Sequence, residues 1–281
     1  MKSIENIIVI NLKRDKLRRQ YMKENLCKNL KKNINIHFIN AIDGNLLEKK
    51  GNLSMNHIAC SMSHLKAWDY VMENNIENFI ILEDDVVFKD NFLKKTDEYL
   101  QNIPKDWSFI YFGYFGLANY DNKNYLIEKI IFSLPKLGLF EEKNEYLKYN
   151  NHFYIPEYPL GLHCYTINKN VIELFKSKAF YEINTVPDVQ LATFFAYNKY
   201  KNVYCTRENL ASQYTSKLKS NNFNFNLSSM LNKIIIYDSY TLSWRLSLYV
   251  FKIKNIPING YTYIYLILVL FIVINIYLKI I

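Results

Sequence analysis

Glycine and proline are scarce in this chain of 281 residues, with seven of one and six of the other. That scarcity excludes a collagen-like or Gly/Pro-rich low-complexity chain, and a hydrophobic content of 50% excludes a disordered one. The four cysteines, Cys27, Cys60, Cys164 and Cys205, include no C-x-x-C pair. Their spacing argues against a paired-cysteine zinc site and predicts reduced thiols in a cytosolic compartment. The net charge is +9, with much of the basic excess between Lys13 and Lys32, yet no RNP-type, zinc-finger or helix-turn-helix signature accompanies it. No nucleic acid partner is therefore expected, and the basic balance is left for an anionic membrane surface or a nucleotide sugar. Met1-Lys2-Ser3 runs straight into an apolar segment, so no secretory signal peptide is expected.

What stands out against this background is Ile80-Ile81-Leu82-Glu83-Asp84-Asp85-Val86-Val87-Phe88, an apolar strand-like run interrupted by three carboxylates. Such a run reads as a buried strand of a parallel sheet, and these sheets carry ligands beyond the carboxyl ends of their strands. Strand alternation would put Glu83 and Asp85 on one face and Asp84 on the other. Crowded acids raise one another's pKa unless a cation sits among them, and Mn²⁺ or Mg²⁺ prefers carboxylate oxygens. Glu83, Asp84 and Asp85 are therefore candidates to hold a divalent metal and, through it, a diphosphate. The alternative is a strand that ends in solvated acids at a turn.

The surrounding pattern is strand, basic helix, strand over residues 4–12, 15–32 and 34–40, which is βαβ grammar. A helix over 57–74 leads to a strand at 78–82, a helix at 90–101 and an apolar strand from Trp107 to Phe112. Residues 113–158 show no sustained period and read as an insertion or a loop with short helices. A strand from Leu160 to Ile167, helices at 168–179 and 188–199, and a strand from Asn202 to Cys205 complete an α/β domain over 1–232.

Three further motifs join the acidic run: Ile8-Val9-Ile10-Asn11-Leu12-Lys13-Arg14, the Ala41-Ile42-Asp43-Gly44 turn, and Ser54-Met55-Asn56-His57-Ile58-Ala59-Cys60-Ser61-Met62-Ser63-His64-Leu65. Together they resemble glycosyltransferase family 25, which contains sugar transferases of bacterial lipooligosaccharide synthesis and the collagen galactosyltransferases. The resemblance is close over residues 4–115 and looser over 159–195. Asn56-His57-Ile58-Ala59 stands where the family usually shows Gly-Glu-x-Gly before the cysteine. The resemblance implies a GT-A-like nucleotide-sugar-binding sandwich and an inverting transfer of hexose, galactose first, from a UDP-sugar to a lipooligosaccharide or related lipid-linked glycan. It further implies that Asn11, Ser63, His64, Glu83 and Asp84 lie at the donor site, with Asp85 the main metal ligand, Glu83 beside it and Asp84 supporting the nucleotide or donor sugar.

Arg14 and Arg18, four residues apart just past a strand end, are candidates for the nucleotide diphosphate, the alternative being a solvated basic face. Inverting transfer also needs a base to take the acceptor proton. Asp188, in a late Pro-Asp element like the family's, is the first candidate against the alternative of a helix cap, with Glu157 and Asp121 behind it. Cys60 and His64 share a helix face at i, i+4, but zinc is set aside because no second Cys or His pair is spaced to complete its shell. Two other functions compete. A nucleotidyltransferase would need a glycine-rich phosphate loop that Asn11-Leu12-Lys13-Arg14 lacks, and a membrane-attached glycan-binding module would need no base.

Finally, Tyr261 to Leu278 is an apolar stretch broken by Asn275 and followed by Lys279. As a helix it would span about 27 Å. With a basic and aromatic segment at 233–255 before it, residues 256–281 are expected to form a single-pass C-terminal helix that holds the domain at the cytoplasmic face of a bacterial inner membrane.

Overall fold

The structure, a computed structural model, describes residues 3–29, 34–48, 53–115, 146–156, 159–198, 200, 202–213, 249–253, 256–259, 269 and 275. The chain divides into two compact units, Met1–Leu117 with Glu145–Phe225, and Ala118–Asn144 with Asn226–Ile281.

The first unit is built on an eight-stranded mixed sheet. In chain order its elements are β1 (Asn6–Asn11), α1 (Lys16–Asn29), β2 (Asn35–Asn40), α2 (Met55–Glu73), β3 (Phe79–Glu83), β4 (Val86–Phe88), α3 (Phe92–Gln101), β5 (Phe109–Phe115), β6 (Tyr146–Lys148), β7 (Phe153–Pro156), β8 (Leu160–Ile167), α4 (Lys169–Lys178), α5 (Pro187–Tyr197), β9 (Val203–Thr206) and β10 (Ala211–Gln213). The sheet order is β2-β1-β3-β8-β5-β9-β7-β6. β1 runs parallel to both β2 and β3, whereas β8 runs antiparallel to β3 and β5. The first half is thus the expected βαβ arrangement. The insertion read over 113–158 supplies β6 and β7 to the sheet.

The apolar runs are continuous because both sheet faces are covered. Ile8, Ile10, Ile81, Phe109 and Tyr111 join one buried cluster with Trp68 and Phe175, while Ile7, Val9, Ile80, Leu82, Ile110 and Phe112 join another with Met22, Phe92 and Leu100. Each such side chain contributes on the order of 1.5–3 kcal/mol by leaving water.

The second unit corrects the expected tail. Tyr249–Ile253 forms a strand, β11, paired antiparallel with β12, Ile256–Asn259, so the start of the predicted spanning helix is extended backbone. Pro257, which lacks an amide hydrogen and breaks a helix interior, stands within it. Among the described residues no helix is long and apolar enough to cross a membrane. The single-pass anchor, and the inner-membrane location that rested on it, are not supported.

Candidate functional site

The carboxyl ends of β1 and β3 lie side by side, with Ile10 opposite Glu83. β3 does not continue through the acids as the alternation argument required. It stops at Glu83, turns at Asp84-Asp85, and resumes as β4, which leaves the main sheet to pair antiparallel with β10. The turn frees all three carboxylates from strand alternation, and each finds a different environment.

Asp84 is buried and faces α1. Its Oδ2 accepts from Asn11 Nδ2 at 2.7 Å and its Oδ1 from Arg18 Nη1 at 2.7 Å. The same Arg18 nitrogen lies 3.3 Å from Asp85 Oδ2. Burial works against the Arg18 charge, but Asp84 and Asp85 outweigh it and raise its pKa above the usual value. Arg18 is therefore the fixed counter-charge of this turn.

Glu83 turns the other way. Its Oε2 accepts from Gln213 Nε2 at 2.7 Å, and its Oε1 lies 3.5 Å from His64 Nε2. His64 Nδ1 is 2.9 Å from the Tyr165 hydroxyl, which also accepts from Trp68 Nε1 at 2.9 Å. Burial alone would raise the Glu83 pKa, yet His64, His163 and Gln213 together hold it below the usual carboxylate value. Gly113 makes room for His163, since a Cβ there would stand 2.4 Å from His163 Nε2 and 2.9 Å from the Ala211 carbonyl oxygen.

Asp85 has the least support. Its Oδ1 is buried with no hydrogen-bond partner. Burial and the Glu83 charge, with Asp84 behind them, push its carboxyl up to about 8 in spite of Arg18. A buried oxygen without a donor, among acids that oppose ionisation, is what an oxygen-preferring divalent cation would satisfy.

Asp188 sits in the first turn of α5, one residue past Pro187, where a negative charge suits the helix dipole. Its Oδ2 accepts from the Gly161 amide at 3.2 Å and its Oδ1 from Val189 at 2.9 Å. Gly161, at φ 88°, adopts the left-handed conformation that a side chain resists. Burial is the main cause of a raised Asp188 pKa, and the Glu83 charge adds to it.

The remaining expected residues have structural partners. Arg14 precedes α1 rather than lying on it, and pairs with Asp43. Ser63 donates to the Ala59 carbonyl at 2.6 Å and accepts from the Ile42 amide at 2.8 Å, tying the 41–44 turn to α2. Glu157 and Asp121 lie outside the described residues. Sequence reasoning missed His163, Tyr165 and Gln213. The first two sit in an apolar strand that reads as core, and the third follows the last clear element.

The model of glycosyltransferase family 25 (LPS biosynthesis protein) matches residues 4–191, a span that includes Asn11, Arg18, the acidic turn and Asp188. Procollagen galactosyltransferase 2 of Mus musculus is 30% identical over 131 residues, covering 39% of this chain and 20% of that protein. A glycosyltransferase 25 family member of Aedes aegypti is 27% identical over 141 residues, covering 43% of this chain and 23% of that protein. Inactive glycosyltransferase 25 family member 3 of Mus musculus is 24% identical over 131 residues, covering 39% and 22%. The matches thus span about a fifth of the length of these curated relatives. Since the family match covers residues 4–191, about two thirds of the chain, from the strand β1 into α5, the chain belongs to glycosyltransferase family 25.

Proposed function

We propose that this chain is a metal-dependent inverting hexosyltransferase that moves galactose from UDP-galactose to a hydroxyl of a lipooligosaccharide-type glycan. The observation that carries this reading is the uncommitted Asp85 Oδ1 beside Glu83, at the carboxyl edge of the parallel strands. Asp85 and Glu83 would hold Mn²⁺ or Mg²⁺, which when bound supplies a Lewis acid for the diphosphate leaving group. Arg18 and Asn11 keep Asp84 in place and so fix the turn that presents both ligands. Asp188 accepts the proton of the acceptor hydroxyl, whose oxygen bonds to the anomeric carbon as UDP departs with the electron pair of the broken bond. Its raised pKa favours that role, because a base works best when its pKa lies nearer the working pH. Galactose is the first choice of sugar because a procollagen galactosyltransferase is among the relatives.

A panel of sugar nucleotides with Mn²⁺, read by UDP release and by the anomeric proton coupling of the product, tests the proposal. UDP release with UDP-galactose, and an inverted linkage, are expected. Because one relative carries the name inactive, donor hydrolysis without acceptor is the companion assay. No release from any donor under either condition would leave a glycan-binding module instead.

A further inference from the structure

Cys60 and His64 stand one helical turn apart on α2, and the sequence spaces no second Cys or His pair to complete a zinc shell. The fold supplies a further ligand from β3. One donor atom each from Cys60, His64 and Glu83 lies within 4.8 Å of the other two, and His64 Nε2 is 3.5 Å from Glu83 Oε1. In a tetrahedral zinc site with Zn–N and Zn–O near 2.0 Å and Zn–S near 2.3 Å, neighbouring donors stand about 3.3–3.5 Å apart. The nitrogen–oxygen pair is close to that spacing, and the thiol lies within 4.8 Å of both. His64 is also held as a zinc-binding imidazole is held. With Nε2 on a metal, Nδ1–H donates to the buried Tyr165 oxygen at 2.9 Å, whose other lone pair takes the Trp68 N–H.

We propose that Cys60, His64 and Glu83 form a binding site for one thiophilic divalent cation of the Zn²⁺ class, with the fourth position open to water. Binding displaces the thiol proton to solvent and gives Glu83 a second metal to serve. This second step rests on the reading of Glu83 as a ligand for Mn²⁺. If that reading holds, Zn²⁺ and Mn²⁺ compete for one carboxylate, and zinc is an inhibitor that enters from the α2 side. Asp85 belongs to the Mn²⁺ set only, so the two sites are separable by mutation.

The test uses the full chain and Co²⁺ as a spectroscopic stand-in for Zn²⁺. A thiolate-to-cobalt charge-transfer band in the near ultraviolet is expected, abolished in Cys60→Ser and retained in Asp85→Asn. Zn²⁺ affinity measured by competition with a chromophoric chelator should fall at least about tenfold in Cys60→Ser. Absence of the band, or its survival in Cys60→Ser, overturns the site whatever the chain's transferase activity. Zn²⁺ should also raise the apparent Kd for Mn²⁺, read by the Mn²⁺ electron paramagnetic resonance signal without any sugar donor. A thiolate band with unchanged Mn²⁺ affinity would overturn the competition and leave the zinc site standing.

Discussion

Arg18 reaches from α1 to Asp84, 66 residues later, and places its Nη1 2.7 Å from Oδ1. The same nitrogen is 3.3 Å from Asp85, so one guanidinium offsets two adjacent carboxylates in a turn where all three side chains are largely withdrawn from solvent. The acids and the arginine are one unit, and removing the cation leaves repulsion behind.

Arg18→Gln should therefore cost about 3–5 kcal/mol of stability, the usual effect of stripping one partner from a buried ion pair. Denaturant unfolding measures it. The double variant Arg18→Gln/Asp84→Asn should recover part of the loss. A single variant with wild-type stability would show that the pair is not the counter-charge of the turn.

Asp85 gives a pH dependence of definite sign. Its pKa in the metal-free protein, about 8, lies above that of an unfolded carboxyl. The folded state thus binds the proton more tightly, and this group's favourable contribution is complete below pH 4 and lost as pH rises towards about 8. A divalent cation must displace that proton, so Mn²⁺ affinity should rise close to tenfold per pH unit between about 5 and 8. Isothermal titration across that range checks the slope. Asp85→Asn should flatten it and lower Mn²⁺-dependent turnover by a factor on the order of 100 or more, as should chelation of the metal.

Asp188→Asn separates a base from a structural acid. Turnover should fall by a factor on the order of 100 to 10,000 while UDP binding, read by titration, stays within about threefold. Gly161→Ala is the complementary change. A methyl group at φ 88° should destabilise the fold by about 1–2 kcal/mol and move the amide that holds Asp188, lowering turnover with little effect on Mn²⁺ affinity.

Gly113→Ala probes the floor beneath Glu83. The new Cβ would meet the Ala211 carbonyl oxygen at 2.9 Å as well as the His163 ring, so rotating one side chain does not relieve it. Overpacking should cost about 1–3 kcal/mol. Thermal unfolding measures the loss, and Gly113→Ser should be no better tolerated.

Much of the α/β frame was legible because its strands are buried on both faces and read as unbroken apolar runs, as Ile7 to Ile10 and Phe79 to Leu82 do. The acids were legible for the opposite reason, since charge inside such a run demands a partner. The identity of the partner was not. Nothing local distinguishes Arg18 from Arg14, because the choice is made by helix α1 crossing to a strand tip far along the chain. His163 was hidden by its setting in β8, where every residue is buried. The tail expectation fails at its start, where hydropathy does not tell strand from helix; of Tyr261 to Leu278 all but Val269 and Asn275 lie outside the described residues. Tyr249–Ile253 and Ile256–Asn259, two residues apart, carry hairpin spacing that hydropathy alone does not register.

The two-residue turn between β3 and β4 has an evolutionary corollary. Val86 and Phe88 point inward from β4, and Val86 is in register with Gln213, the residue that reaches back to Glu83. One residue more or fewer at Asp84-Asp85 would reverse which side chains of β4 face the core, or slide Gln213 off its carboxylate. The number of residues in the acidic turn is thus tied to the registration of a second, two-stranded sheet. Lengthening or shortening the turn would require remaking its hydrophobic neighbours at the same time.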